Sequence, residues 1–239
     1  MAKIILRGIL GGVLGILMGE DAFHKGLIGS PLFVPMVFWY GLLFLALDWA
    51  VVKYKLRDRQ LFLLSAILGI LIGGILDNEF LAPKGQLNIF LGVVPDSAIV
   101  NMLTWGAVFV LILYFVNWVV PRGQKNAGVW APAGFAFLTL IMMGPGLPGT
   151  LANANPLGIL TLLALASFLF IQLRKQVKKI QTMQEARPVL KKNKGLAGLA
   201  VIFLLLPAIS VWGELTYIYV SVLAAVVILA VMSKRSITV

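Results

Sequence analysis

The chain has 239 residues, 60% of them apolar and 12% charged, with Lys+Arg 20 against Asp+Glu 9 and no cysteine. Soluble domains carry about 25% charged residues, so a water-soluble globule is excluded. The missing cysteines also exclude disulfides, thiolate metal sites and cysteine nucleophiles. A basic excess often marks a polyanion partner, but membrane proteins acquire it for topological reasons, so its distribution decides.

About 20 apolar residues at about 1.5 Å each cross a hydrocarbon core of about 30 Å. Long apolar runs predict an all-α fold, a polytopic membrane helical bundle forming a single transmembrane domain over residues 1–239. Its eight expected transmembrane helices are 4–18, 31–52, 61–76, 98–120, 128–144, 157–173, 196–212 and 215–232. The first is short and carries Arg7. Its rival reading is a signal peptide with Lys3 as the basic end, but no small-x-small cleavage site follows at 19–23. Lying near the start of its helix, Arg7 is expected to snorkel to the headgroups.

Pro31 opens the second run and Pro121 closes the fourth, positions where a missing N–H costs little. Pro132 falls within the first turns of the fifth, and Pro207 lies deep in the seventh, where it predicts a kink. With both termini cytoplasmic, all of the 20 basic residues except Lys25 and Lys84 fall inside. Adding or dropping one span scrambles that segregation.

The first run carries Gly11, Gly15 and Gly19 four residues apart, and the third repeats the spacing at Gly69 and Gly73. Such stripes let helices approach closely, so spans one and three are expected to pack through them. Trp39-Tyr40-Gly41 and Trp105-Gly106 rhyme near the starts of the next spans, and Asp48-Trp49 and Asn117-Trp118 near their ends. This weak pattern suggests a duplicated parallel hairpin with a one-turn insertion. Trp39, Tyr40, Trp49, Trp105, Trp118, Trp130, Trp212, Tyr217 and Tyr219 lie mostly near expected helix ends and read as an interfacial aromatic belt.

Asp48 is the carboxylate well inside an expected span, about a turn from Lys53 and Lys55, which predicts an interfacial ion pair rather than a proton relay. Asn101, Thr104, Asn117 and Thr139 offer neutral polar groups that either line a solute path or join helices.

Of the 9 carboxylates, Glu20, Asp21, Asp77, Glu79, Asp96 and Glu214 map to the outer side. His24 follows Glu20 by four residues and Asp21 by three, a spacing that shares a helical face and suits a divalent cation. Glu20, Asp21, His24, Asp77 and Glu79 are therefore the candidate ligand or cation site, against the simpler reading of solvated interfacial groups. Residues 77–97 are too apolar for a wet loop and too short for a span, which suggests an interfacial or re-entrant piece. The uncharged 145–156 segment reads as a rigid surface turn, with a dip toward the bundle as the alternative.

Between spans six and seven, residues 174–194 hold eight basic residues against Glu185. Leu173, Val177, Ile180 and Gln184 mark one face of a continuing helix. Arg174, Lys175, Lys178, Lys179, Lys191, Lys192 and Lys194 are expected to contact anionic headgroups on the cytoplasmic side. Nucleic acid is not an expected partner, since no binding module or aromatic interleaving accompanies the charge.

No nucleophile elbow, phosphate-binding loop or zincin helix occurs. The expected function is non-catalytic: a permease-like carrier of a small or lipidic solute, or a subunit or assembly factor of a membrane complex with a membrane-protein partner or a second copy. The alternative is a membrane-embedded enzyme acting on a lipid-linked substrate through the outer carboxylates. The expected location is a prokaryotic-type cytoplasmic membrane. A reporter fused after Val239 is expected to read as cytoplasmic, and an extracytoplasmic readout would overturn the eight-span count.

Overall fold

A backbone in hydrocarbon must satisfy its own hydrogen bonds, and the long apolar runs among the described residues do so as helices. The computed structural model describes residues 1–19, 30–76, 81, 91, 93, 95–122 and 127–182. The helices are α1 (Ala2–Gly19), α2 (Phe33–Tyr54), α3 (Asp58–Gly69), α4 (Pro95–Val119), α5 (Trp130–Met143), α6 (Leu147–Asn153) and α7 (Pro156–Thr182), with α3 continuing as a π-helical stretch, Ile70–Leu76. The expected spans at 196–212 and 215–232, with Pro207, lie outside the described residues.

Four of the described helical segments are long and apolar enough to cross a membrane: α2, Asp58–Leu76, Asn101–Val119 and Pro156–Lys178. There are five if α5 and α6, bent by 67°, form one broken span. No strand occurs among the described residues, and Leu81 and Val93 form an isolated antiparallel bridge.

Local chemistry sets the ends. Lys55 adopts the left-handed region at φ 52°, and its N–H and that of Leu56 both return to the Val51 carbonyl, which closes α2. Leu56 is then buried, and the Arg57 N–H donates to Gln60 Oε1 at 2.7 Å to open α3. Pro35 and Pro132 occupy the first turns of α2 and α5, where no helical N–H is lost.

The glycine face of α1 packs on α2, not on α3. A Cβ on Gly12 would collide with the Val37 carbonyl oxygen, and one on Gly11 with the Phe44 ring. One on Gly15 would lie 2.7 Å from Tyr40 Cδ1. On α3, a Cβ on Gly69 would lie 2.7 Å from Trp105 Cγ of α4. The expected pairing of spans one and three through their glycines is therefore corrected: each Gly-bearing helix receives the aromatic residues of the helix that follows it. The α1–α2 and α3–α4 pairs are the most extensive in the bundle.

The two hairpins share a packing register. Gly15 meets Tyr40 while the next residue, Gly41, lies against Gly8; Gly69 meets Trp105 while the next residue, Gly106, lies against Phe62. Gly8 to Gly15 and Phe62 to Gly69 are the same seven-residue step. In this register Trp49 corresponds to Tyr114, so the one-turn insertion suggested by matching Trp49 to Trp118 is not needed.

Room made by glycine also draws aromatic rings inward. Trp39, Tyr40 and Trp105 are buried with Phe109, and the Trp39 and Tyr40 centroids lie 4.8 Å apart in an edge-to-face arrangement. The belt expected of these three is replaced by a core cluster, whereas Trp118 and Trp130 are exposed. Trp39 Nε1–H donates to Thr139 Oγ1 at 2.8 Å, and Thr139 donates to the Phe135 carbonyl at 2.8 Å, joining α2 to α5.

A second core gathers Ile67 and Ile70 with Leu81, Val93, Ala98, Ala154, Leu162, Ala166 and Leu173. Leu81 and Val93 thus bring part of the 77–97 segment into the bundle. The 145–156 segment is not a plain surface turn: it contains α6 and ends with Ala154 and Asn155 buried, where Asn155 Oδ1 accepts from the Leu157 N–H at 3.0 Å and caps α7. Large apolar side chains lie exposed along α5 and α7, among them Phe137, Leu140, Leu160 and Phe168, a surface that hydrocarbon tolerates and water does not.

Gly12→Ala should lower the melting temperature by an amount corresponding to about 1–3 kcal/mol, because the new methyl meets backbone that cannot yield. Gly149→Ala, with nothing within 4 Å of the added atom, should be neutral or stabilising. Tryptophan fluorescence melts in detergent read both, and equal effects would contradict the packing.

Candidate functional site

Helix geometry carries a charge into the interior. Arg7 precedes Gly11 and Gly15 by four and eight residues, so it lies on the face that meets α2. On α2, Asp48 follows Phe44 and Tyr40 by the same steps. The helices run antiparallel with Phe44 seated on Gly11, so one further turn along each brings Arg7 to Asp48.

Arg7 Nη2 donates to Asp48 Oδ1 at 2.9 Å, and Arg7 Nη1 donates to the Val120 carbonyl at 2.5 Å. Just beyond the end of α4, Arg122 donates to the same oxygen, through Nε at 2.8 Å and Nη2 at 2.5 Å. Arg7 is 3% exposed and Asp48 4%, while the Arg122 side chain keeps 27% of its surface open. The Arg7 guanidinium carbon also lies 5.7 Å from the Phe44 ring centroid.

Two expectations are corrected here. Arg7 does not snorkel outward, because the glycine face that holds it is the buried one. Asp48 does form an ion pair, but with Arg7 and Arg122 instead of Lys53 and Lys55. Lys53 Nζ lies 4.9 Å from the Trp49 ring centroid, and Lys55 is exposed at the helix end. The signal for Arg7 was available in its spacing from Gly11 and Gly15. Arg122 carried none, since it reaches Asp48 only because Pro121 ends α4 beside α1.

At the same end of the bundle, the Tyr114 hydroxyl lies 2.8 and 2.7 Å from the two Asp58 carboxylate oxygens and donates to that carboxylate, tying α4 to the start of α3. Buried oxygen or nitrogen atoms of Ser65, Thr104 and Asn117 make no hydrogen bond among the described residues. The arrangement places charge and hydrogen-bonding capacity inside a helical bundle.

Glu20, Asp21, His24, Asp77 and Glu79 lie outside the described residues, as do Lys191, Lys192, Lys194 and the Lys179 side chain. No metal-holding group of His, Asp and Glu occurs among the described residues. The glycines expected to bring Glu20, Asp21, Asp77 and Glu79 together have other neighbours: Gly11 and Gly15 meet α2, and Gly69 meets α4. Arg174, Lys175 and Lys178 are exposed at the end of α7. Leu173 and Val177, on one face of this helix, pack on the bundle.

Comparisons with protein-family models, characterised proteins and solved structures find no match.

Breaking a buried ion pair on one side costs about 3–5 kcal/mol, since the partner charge is left unpaired. Asp48→Asn should therefore lower the thermal midpoint sharply, whereas Lys55→Gln should shift it by about 0.5 kcal/mol or less. A Lys55→Gln loss comparable to that of Asp48→Asn would return the carboxylate to its sequence-expected partner.

Proposed function

We propose that the chain is a multi-pass protein of a prokaryotic-type cytoplasmic membrane, with eight spans and both termini inside, and that it works as a permease-like carrier of a small or lipidic solute. The observation that carries the reading is the division of forces in the bundle. Within α1–α2 and α3–α4, glycine lets backbone and aromatic side chain touch, which makes each hairpin stiff. Between the hairpins, at one end, Arg7 and Asp48 of the first are joined to the Val120 carbonyl and Arg122 of the second by charge-assisted hydrogen bonds.

Stiff units that meet through side chains, Tyr40 against Trp105 and Phe109, and whose charged contacts gather at one end suit rigid-body movement, in which one arrangement of an interface is exchanged for another. An intramembrane arginine is also costly to retain, which favours a working role over a decorative one. In this reading the network closes one end of the path, and the Asn117 side chain, on the same α4 face as Leu113 and Val120, lies just behind the closure. A subunit that only holds other proteins together has no need to open there.

The absence of native cysteine makes the test direct. Asn117→Cys, in membrane vesicles of known orientation, should react with a membrane-impermeant thiol reagent from the network side, and at least several-fold faster when combined with Asp48→Asn. Both proteins must first give a single gel-filtration peak and a cooperative melt. Protection of the introduced thiol in both backgrounds would favour the static subunit over the carrier.

A further inference from the structure

The charges of the network do not balance. Arg7 and Arg122 bring two positive charges to one carboxylate, and all three arginine donor contacts to it converge on a single oxygen, Asp48 Oδ1. Asp58, at the same end of the bundle, accepts from the Tyr114 hydroxyl. Among the described residues, Arg7 Nη1 donates to a neutral carbonyl, that of Val120. The trio therefore holds one surplus positive charge, with Arg7 3% exposed and the Arg122 side chain open to its surroundings.

We infer that the network is an anion-binding site whose natural ligand carries a phosphate or carboxylate oxyanion, held by Arg122. Arg122 spends Nε and Nη2 on Asp48, so its Nη1 group is not engaged by that carboxylate, and it is the one member of the trio with open surface, at 27%. A guanidinium presents donors in a planar fork suited to an oxyanion, and one held by Asp48 is already oriented, so little freedom is lost on binding. A cation is disfavoured by the same charge count. The ligand's chemistry is shared by two sources, an anionic lipid headgroup and a free anion in the aqueous phase. The inference takes from the carrier reading only the place, and does not require movement: binding is read at equilibrium, whereas the thiol reactivity at position 117 reads opening, so either can fail alone.

The test uses the full chain in neutral dodecyl maltoside and in phosphatidylcholine nanodiscs, with the melting temperature followed by tryptophan fluorescence. One arm titrates inorganic phosphate against chloride at constant ionic strength. The other replaces phosphatidylcholine stepwise with phosphatidylglycerol. A saturable rise of several degrees in either arm, reduced at least five-fold in Arg122→Gln and retained when Arg174, Lys175 and Lys178 are all changed to Gln, is the expected result. The responding arm identifies the source. No saturable rise in either arm, a rise undiminished in Arg122→Gln, or one lost only in the α7 triple variant overturns the site. Should Arg122→Gln fail to fold, Arg122→Lys keeps the charge without the fork: half-saturation at five-fold or more higher anion supports the site, and an unchanged midpoint overturns it.

Discussion

At Gly12 the backbone of α1 meets the Val37 carbonyl oxygen of α2 with no side chain between them. Helices usually pack with axes about 8–10 Å apart, and the lower end of that range requires small residues along the contact. That one approach fixes much of the described structure. It seats Phe44 over Gly11 and Tyr40 over Gly15, and it sets Arg7 one turn further along opposite Asp48. Once Asp48 is held there, Arg122 can close on it from the end of α4, and the Arg7 bond to the Val120 carbonyl ties the same corner from the other side. A larger residue at the crossing would separate α1 from α2 and draw Arg7 away from the carboxylate.

The positions of the longer described helices were legible because hydrocarbon removes the alternatives: an apolar run that must pair its own backbone groups becomes a helix, and the expected 31–52 run emerges as Phe33–Tyr54, whereas α6 falls in a segment expected as a turn. Partner choice was not legible. A glycine stripe announces that something comes close, but its residues carry no mark of what, and here the sequence-adjacent helix wins over the similar helix further along. Aromatic residues were ambiguous for the same reason. Trp39 and Trp105 are as suited to a headgroup layer as to a core, and only the space opposite them decides.

The charged centre was half written in the sequence. Arg7 shares its helical face with Gly11 and Gly15, so the sequence already placed it against another helix, but its short distance from the start of the run argued for the surface. Asp48 had cations nearby along the chain in Lys53 and Lys55, yet these occupy the exposed end of α2, and the carboxylate faces the other way. Contacts across 41 and 74 residues, to Arg7 and Arg122, depend on tertiary packing that local spacing does not encode.

The π-helical stretch Ile70–Leu76 alters how the rest of α3 is counted. Its hydrogen bonds span five residues instead of four, so within it the residue stacked over Ile70 is Ile75, not Gly74. Each residue of an α-helix turns the chain by about 100°, and one residue taken up in a wider turn shifts the phase of everything beyond by about that angle. Gly69, the last α-helical residue before the wider turn, is the one that receives Trp105. Both halves of the helix meet α4 and α7, but the balance changes along it: the α-helical half rests mainly on α4, and the π-helical stretch rests more on α7 than on α4, like a screw whose thread slips partway along.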